Sequence, residues 1–275
     1  MWIVICVIAI ILLIYLFLIC PALRKNPEKE LCKELYVAHR GLHDIDAGIP
    51  ENSLPAFRMA MENGYAVEID IHVTKDEKVV IFHDDNLKRV CGEDRLIEDL
   101  TLEELSKYTL SGTEYKIPQL HELLDICDDK SVLVIELKCM PHNYKKLCEN
   151  TNRILNRYNV KYVVQSFNPL AMCWYKKNNK KICRGQLATN FFREKSKSIL
   201  EILCGYLLMN FLSRPDFISY DIKYPNTVSR KIGLLFGADA AGWTIRSQEE
   251  LDKCKNQNSI YIFENFIPTK KSSSS

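Results

Sequence analysis

Strand-like apolar runs alternate with helix-like segments from residue 35 onward, which predicts an α/β fold, a TIM (β/α)8 barrel. Helix start signals between the runs support this prediction, and an uninterrupted apolar run near residue 1 predicts one transmembrane helix before the barrel. A closed barrel also leaves no unpaired strand edge. A doubly wound open sheet is the alternative, because periodicity alone does not exclude it.

Eight runs have the composition of barrel strands. They span residues 35–40, 66–74, 131–138, 162–167, 181–188, 217–222, 238–245 and 259–264. Helices are predicted to follow three capping signals, which are Ser53 with Pro55, Asn168 before Pro169, and Ser247 with Glu250. Eight strand–helix units over about 235 residues match the size of a closed parallel barrel.

One segment interrupts the alternation after the second barrel strand. Residues 79–83 read as an extra short strand, and helices are expected from Thr101, with Glu104 as capping partner, and within 118–127. We therefore expect an insertion at about 84–128. The predicted organisation is a membrane anchor at 1–21, a juxtamembrane linker at 22–34, the barrel at 35–268 and a disordered tail at 269–275.

The membrane anchor is predicted from residues 2–20, which contain no charge. A helix of that length reaches roughly 28 Å, close to the hydrocarbon thickness of about 30 Å. A cleaved signal peptide fits less well, because no Lys or Arg precedes the run and no small-x-small site follows it. A lipid-modified Cys20 also fits poorly, because Ile19 stands where a small residue would be expected. We expect an uncleaved single-pass anchor.

Charge and cysteine usage bear on compartment and partners. The cations that flank the span all follow it: Arg24, Lys25, Lys29 and Lys33. This asymmetry predicts a cytoplasmic catalytic domain. The 11 cysteines, an odd number without a CxxC, favour a reducing compartment. A formal charge of +2 without a basic, aromatic-rich stripe gives no sign of nucleic acid binding. Nothing in the sequence indicates the oligomeric state.

Strand alternation places charged side chains together. Glu68, Asp70 and His72 share one face of the second strand, and Glu136 and Lys138 share a face of the third. Buried carboxylates are unfavourable unless they are paired or bind metal, and the C-terminal ends of barrel strands meet at the active site. The three acids are therefore predicted ligands of one divalent cation, Mg²⁺ or Ca²⁺. Ion pairing with Arg or Lys across the barrel is the alternative.

Two histidines, His39 and His83, come from neighbouring strand ends beside these acids. Cleavage of a phosphodiester needs one group to accept a proton and another to supply one to the leaving oxygen, with a metal to neutralise the phosphate. Arg40 and Lys138 are predicted phosphate contacts. The remaining histidines have no such setting and are interpreted as surface or supporting residues: His43, His72, His121 and His142.

Several short motifs resemble the glycerophosphodiester phosphodiesterase family. They include Ala38-His39-Arg40-Gly41, Pro50-Glu51-Asn52-Ser53, Glu68-Ile69-Asp70, Val80-Ile81-Phe82-His83-Asp84, Ile117-Pro118-Gln119-Leu120, Glu136-Leu137-Lys138, Gln165-Ser166-Phe167 and Trp243-Thr244. The resemblance extends from about residue 36 to 267. It implies a TIM barrel with a small insertion, one divalent metal, and hydrolysis of glycerophosphodiesters to glycerol 3-phosphate and an alcohol.

The resemblance also implies individual roles, with His39 as general base and His83 as general acid. It assigns Glu68, Asp70 and Glu136 to the metal, and Arg40 and Lys138 to the phosphate. Glu51 is implied near the metal, either as a further ligand or in holding the loop of Asn52. Trp243 would wall the glycerol side, unless it is ordinary packing. Direct attack by water and initial attack by the glycerol 2-hydroxyl both remain open.

Three positions depart from the family pattern. Ser53 replaces the usual Thr, a small change because either hydroxyl caps a helix. Glu77 stands where a turn Gly is commoner, so the turn must avoid positive φ or be strained. Glu264 and Asn265 replace the usual Thr-Asp, so the resemblance does not extend to the far wall of the pocket.

Two further readings of the function differ in substrate or in activity. Lysophospholipase D-type hydrolysis of lysophospholipids is favoured by the anchor and by the mostly apolar run 199–212, which is too short to span a bilayer. That run otherwise reads as a buried barrel helix, a membrane-docking face or a dimer face. A non-catalytic binding barrel is the other reading, and the complete set of histidines and acids argues against it.

Overall fold

The computed structural model describes residues 1–196 and 198–269, and within them eight parallel strands close into a barrel. The strands are β1 Leu35–Ala38, β2 Ala66–Val73, β3 Val79–Ile81, β4 Val132–Leu137, β5 Lys161–Ser166, β6 Arg184–Ala188, β7 Phe217–Asp221, β8 Asp239–Ile245 and β9 Ile260–Phe263. β1 pairs with both β9 and β2, which closes the sheet, and β3 is an extra strand antiparallel to β2. The predicted TIM barrel is confirmed, and the open sheet is wrong.

Most helices cover the outside of the barrel. The helices are α1 Trp2–Ile19, α2 Leu54–Glu62, α3 Lys88–Cys91, α4 Leu102–Leu105, α5 Leu120–Leu124, α6 Tyr144–Leu155, α7 Pro169–Asn178, α8 Ile199–Gly205, α9 Asn210–Ser213, α10 Val228–Leu235 and α11 Gln248–Cys254. α1 precedes the barrel in the chain, whereas α3 and α4 belong to the segment after β2. Short 3-10 turns lie at Pro27–Cys32, Ile97–Asp99 and Leu110–Gly112. The predicted caps Ser53, Asn168 and Ser247 each accept a backbone N–H of the first turn.

Strand alternation divides the core into two layers. Outward-facing residues such as Ile69 and Ile135 are fully buried against the helices, and inward-facing residues such as Val134 and Phe217 fill the lower part of the barrel. We call the C-terminal ends of the barrel strands the C-terminal rim. Because the lower interior is apolar, the charged side chains of the same strands lie at this rim.

The segment after β2 has a small core of its own. Phe82, Leu87, Leu100 and Leu110 are buried together there, beside β3. α4 begins at the predicted Thr101 capping box. The helix expected within 118–127 is shorter, Leu120–Leu124. This segment packs over one side of the rim and supplies side chains to it.

The turn between β2 and β3 is strained at Glu77, one of the two outcomes expected from the sequence; the other was a turn without positive φ. Glu77 has φ +64°, the left-handed region that favours glycine. Its carbonyl accepts a hydrogen bond from Asn150 Nδ2 at 3.1 Å, and its carboxylate lies 3.0 Å from Lys146 Nζ. The contacts with α6 hold the turn in this conformation.

Among the described residues, α1 is the one helix long and apolar enough to cross a membrane, with mean hydropathy 3.3 and 6% of it buried. Its last turns pack on α9, where the rings of Phe17 and Phe211 are 6.1 Å apart. The predicted run 199–212 forms α8 and most of α9, with Ile199 and Leu200 exposed and Cys204 buried. Residues 270–275 of the predicted tail lie outside the described residues.

Candidate active site

Three carboxylates meet at the C-terminal rim. Glu68 and Asp70 lie on β2 and Glu136 on β4, in a register that sets Asp70 opposite Glu136. One oxygen from each lies within 4.8 Å of the others, and the three residues are at most 6% exposed. The sequence predicted this convergence from strand alternation together with the meeting of strand ends at the rim of a barrel.

Two cations lie beside the acids. Lys138 Nζ is 2.7 Å from a Glu136 oxygen and 3.1 Å from Asp70 Oδ1, and Arg40 Nε is 3.5 Å from Asp70 Oδ2. Burial disfavours the ammonium, but the carboxylates hold the pKa of Lys138 well above its ordinary value. Asp70 and Glu136 therefore make the ion pairs expected as the alternative to metal binding, and they also belong to the cluster of three acids.

The cations do not satisfy all of the acids. Burial, together with the charges of Asp70 and Glu136, raises the pKa of Glu68 well above its ordinary value. Burial also raises the pKa of Glu136, against the opposing effect of Lys138. A carboxylate with a raised pKa is one whose negative charge lacks sufficient compensation. The cluster can therefore accept further positive charge.

The oxygens fit a hard divalent cation. Asp70 Oδ1 is buried and its one polar contact among the described residues is the ammonium of Lys138, at 3.1 Å without hydrogen-bond geometry, whereas Oδ2 accepts a hydrogen bond from Asn52 Nδ2 at 2.9 Å. One cation between two buried acids leaves carboxylate oxygens that a metal could bind, since these oxygens lose their hydration on burial. Carboxylate oxygens are the ligands that Mg²⁺ and Ca²⁺ prefer. The donor set suits either ion.

His39 follows β1 and is oriented by a residue from the last strand. Its Nδ1 lies 2.5 Å from Glu264 Oε2, and its Nε2 lies 4.0 Å from a Glu68 oxygen. Burial opposes ionisation of Glu264, but hydrogen bonds from His39 and Arg246 lower its pKa to about 2. An ionised carboxylate at Nδ1 keeps the proton there, which leaves Nε2 free to accept one. Burial lowers the pKa of His39 itself.

The role of Glu264 was missed by the sequence interpretation, which noted the residue only as a departure at the far wall. It comes 225 positions after His39. The available signal was a carboxylate directly after an apolar strand, the same signal that identified Glu136.

His83 follows β3 in a matching arrangement. Its Nδ1 lies 2.5 Å from Asp84 Oδ1, and Arg89 Nε donates to the other Asp84 oxygen at 2.7 Å. Burial lowers the pKa of His83, and the charge of Asp70 together with the hydrogen bond to Asp84 opposes that change. His72 lies under it, 3.3 Å from the His83 carbonyl, and burial lowers the pKa of His72 to about 4. His72 therefore supports the backbone of the site as an uncharged side chain.

Glu51 lies in an ion pair, apart from the three acids. Its oxygens accept from Arg40 Nη1 and Arg89 Nη1, each at 2.9 Å. A chain of ion pairs runs from Arg40 through Glu51 and Arg89 to Asp84, and it holds the guanidinium of Arg40 beside the acids. The role of Glu51 as a further metal ligand stays a prediction.

Backbone conformation places these groups at the first loop. Arg40 and Asn52 both have positive φ, +56° and +52°, and Gly41 between them has φ +81°. A Cβ on Gly41 would lie 2.7 Å from the Ala56 carbonyl carbon, so this position requires glycine twice over. Non-glycine residues in this region are strained by about 1 kcal/mol or more, and such strain clusters at functional sites.

A cavity of about 450 Å³ opens above the acids. Its far wall includes Phe167 and Trp243, whose rings meet edge to face at 5.7 Å. Trp243 Nε1 and Gln165 Oε1 are buried there without a hydrogen-bond partner in the protein. An apolar wall with unsatisfied polar atoms suits a small polyol, whose hydroxyls would supply the missing partners. The role of Trp243 toward glycerol stays a prediction.

Comparisons with known proteins point to one family. The model of the glycerophosphoryl diester phosphodiesterase family matches residues 39–203. The chain is 34% identical over 146 residues to a glycerophosphodiester phosphodiesterase of Caldanaerobacter subterraneus, a match that covers 50% of this chain and 59% of that protein. It is 30% identical over 158 residues to a human lysophospholipase D, covering 53% of this chain and 48% of that one. The chain thus spans less than two thirds of the length of these curated relatives.

Solved structures match over a longer stretch. A glycerophosphodiester phosphodiesterase of Thermotoga maritima superposes with a TM-score of 0.64 at 25% identity, covering 83% of this chain and 93% of that one. A phosphodiesterase of Oleispira antarctica, solved in complex with sn-glycerol-3-phosphate, gives a TM-score of 0.67 at 24% identity, covering 84% of this chain and 92% of that chain. These similarities show that the chain has the same barrel fold as the two solved structures.

Proposed function

The chain belongs to the glycerophosphoryl diester phosphodiesterase family, and we propose that it hydrolyses glycerophosphodiesters to glycerol 3-phosphate and an alcohol in a metal-dependent reaction. The observation that carries the proposal is the convergence of three buried carboxylates between two histidines, with only Lys138 and Arg40 as adjacent cations among the described residues. The cavity above them has room for a small diester, and its cations suit the phosphate.

The two histidines take complementary proton-transfer roles in this proposal. His39, with Glu264 holding its Nδ1–H, accepts a proton at Nε2 from the attacking oxygen, and Glu264 stabilises the imidazolium that forms. His83, paired with Asp84, gives a proton to the leaving alkoxide. Each histidine is paired with a carboxylate, Glu264 for His39 and Asp84 for His83. The positive charge of each imidazolium is therefore stabilised by a nearby negative charge.

Phosphate charge is met by Arg40 and Lys138. Arg40 is held by Glu51, and Lys138 bridges Asp70 and Glu136. The metal ligands we propose are Glu68, Asp70 and Glu136, with Glu51 as a further candidate. A bound Mg²⁺ or Ca²⁺ would supply Lewis-acid neutralisation of the phosphate at this position. Trp243 and Phe167 exclude water from the glycerol side and leave Trp243 Nε1 to donate to a substrate hydroxyl.

Activity on a soluble substrate tests the proposal. The full chain in detergent should release glycerol 3-phosphate from glycerophosphocholine, lose this activity in chelator and regain it on addition of Mg²⁺ or Ca²⁺. Undiminished turnover in chelator would contradict the metal ligands we assign. An absence of turnover on any glycerophosphodiester after metal addition would contradict the function.

Membrane attachment through residues 2–20 forms a second part of the proposal. We place α1 as a single-pass anchor with the barrel on the cytoplasmic side, since Arg24, Lys25, Lys29 and Lys33 all follow the apolar helix. The eleven cysteines are free, as a reducing compartment would leave them. A reporter fused to the C-terminus that is active solely outside the cell would contradict this orientation.

A lysophospholipid is the second candidate substrate, favoured by an apolar helix of mean hydropathy 3.3 whose last turns pack on α9 of the barrel. It would be cleaved in lysophospholipase D fashion by the same residues. The comparison of glycerophosphocholine with lysophosphatidylcholine in the same detergent separates the candidates. Higher kcat/KM for the soluble diester supports the first substrate, and strong preference for the long-chain one supports the second.

A further inference from the structure

α1 lies along the outside of the barrel. Its last residues are near the N-terminal ends of the strands, and its earlier residues are nearer the C-terminal rim. At its last turn, the carbonyls of Phe17 and Cys20 accept from Arg214 Nη1 at 2.9 and 2.8 Å. Arg214 precedes β7 and therefore marks the N-terminal end of the barrel. One turn earlier, Tyr15 borders a cleft with Asn190 and Val228, which follow the C-terminal ends of β6 and β7. The direction from Cys20 to Tyr15 thus leads to the rim.

The rest of α1 continues past that rim. Residues 2–14 are all exposed, in contrast to Tyr15, Leu16, Leu18 and Ile19, which contact the barrel. If the apolar residues 2–14 insert into a bilayer, the rim and its cavity would lie next to that bilayer.

Exposed apolar side chains lie on the rim beside α1. Their exposed fractions are large: Phe192 64%, Ile199 76%, Leu200 52% and Val228 63%. Exposed cations lie among them, namely Arg193, Lys195 and Lys223. We call these seven residues the β6–β7 surface. Two exposed acids, Glu194 and Glu201, lie in the same segment, so the exposed cations exceed the exposed acids by one among the described residues. Apolar side chains mixed with Lys and Arg are typical of surfaces that enter the headgroup region of anionic bilayers.

Helix length gives an independent reason for contact between this surface and lipid. The part of α1 that is free of the barrel, residues 2–14, reaches roughly 20 Å, shorter than the hydrocarbon thickness of about 30 Å. The difference of roughly 10 Å is made up if the rim enters the bilayer by the ~5–10 Å typical of interfacial segments. The β6–β7 surface is the part of the rim with side chains suited to that depth.

We propose that the β6–β7 surface lies in the headgroup region of an anionic bilayer, so that the cavity at the C-terminal rim opens beside the membrane. The inference rests on the proposed anchor but on no catalytic step. A short path links the surface to the cavity. The ring of Phe167, in the cavity wall, is 5.9 Å from that of Phe191, and the next residue is the exposed Phe192. A diester with an acyl chain would thus have its chain in lipid and its phosphate near the acids.

Site-specific photocrosslinking tests the position of this surface. The full chain would be reconstituted into phosphatidylcholine–phosphatidylserine vesicles with benzoylphenylalanine in place of Phe192. The control carries the same group in place of Leu235, which is 85% exposed at the C-terminal end of α10, at the N-terminal end of the barrel and so away from the rim. We expect several-fold more crosslinking to labelled lipid from position 192. Equal crosslinking, more from position 235, or none at either position would overturn the proposal.

Extraction separates this inference from the anchor on which it rests. Retention of the chain in vesicles washed with alkaline carbonate, combined with equal crosslinking at the two positions, contradicts the β6–β7 surface alone. Release by carbonate contradicts the anchor and the surface together. Neither readout requires turnover, so both stand apart from the proposed hydrolysis.

Substitution gives a second readout. Phe192→Asp combined with Ile199→Asp should lower turnover of a vesicle-embedded diester several-fold and leave turnover of soluble glycerophosphocholine unchanged, because neither residue lines the cavity. Leu235→Asp is the matched control and should change neither rate. An equal fall on both substrates, or no fall on the embedded one, would count against the surface.

Discussion

Buried charges gather at both ends of the barrel, but they are satisfied in different ways. At the N-terminal end, both oxygens of Asp216 accept from Arg24 Nη2, at 3.1 and 3.0 Å. Arg184 donates to the carbonyls of Ser213 and Arg214, at 3.0 and 2.7 Å. At the C-terminal rim, three carboxylates share Lys138 and Arg40, and burial with the neighbouring acids raises the pKa of Glu68.

The difference distinguishes structure from function. A buried carboxylate whose partners all come from the protein, such as Asp216, contributes to holding the chain together. A buried cluster with excess negative charge, such as Glu68 with Asp70 and Glu136, destabilises the fold unless something else binds. The N-terminal cluster should therefore govern stability and the rim cluster activity, and each of the following changes probes that separation.

The largest effect is expected at the histidines of the rim. His39→Ala and His83→Ala should each lower kcat/KM by about 10²- to 10⁴-fold, the range for losing one proton-transfer group. The unfolding midpoint should barely move. Steady-state kinetics on glycerophosphocholine, with circular dichroism as the check on folding, would measure both. Activity within threefold of wild type would remove the histidines from the mechanism.

The reverse pattern is expected for Asp216→Asn. The substitution leaves Arg184, 2% exposed, without its charged partner, which is expected to destabilise the fold by about 3–5 kcal/mol. Denaturant unfolding measures this, and the folded fraction should retain normal KM. Exposed Asp252→Asn serves as the control. A stable variant with lost activity would contradict the separation between the two ends.

Glu264→Gln sharpens the account within the rim. Its carbonyl oxygen can still accept from His39 Nδ1, but the charge that stabilises the imidazolium is lost, so kcat should fall about 10- to 100-fold. Burial already lowers the pKa of His39, so activity should be lost as pH falls through a midpoint below about 6.5. Removing the Glu264 charge lowers that pKa further. The acidic limb of the pH profile should therefore move to lower pH, and a move upward would contradict the pairing.

The smallest effect concerns strain away from the acids. Glu77→Gly relieves a left-handed conformation of about 1–2 kcal/mol, but it adds backbone entropy to the unfolded state and removes the surface pair with Lys146. We expect stability to change by less than about 1 kcal/mol and activity to stay constant. Gly41→Ala is the contrast, since its Cβ would meet Ala56, and it should lower both.

Most of the fold could be predicted from the sequence, because strand and helix signals are local. The eight barrel strands and the caps Ser53, Asn168 and Ser247 follow from short-range patterns. Part of the site is also local, since alternation alone sets Glu68 and Asp70 on one face. The pairing of His39 with Glu264 could not be predicted, because it joins distant strands and depends on side-chain geometry. The same holds for Arg89 with Glu51.

Metal binding at equilibrium tests the central claim most directly. The full chain in detergent, stripped with chelator, should bind one Mg²⁺ or Ca²⁺ at the rim in equilibrium dialysis. Glu68→Gln and Glu136→Gln should each weaken binding at least about tenfold, whereas Glu249→Gln, an exposed carboxylate on α11, should not. Undiminished binding in both rim variants, or no binding by the unaltered chain, would contradict the assignment of these acids.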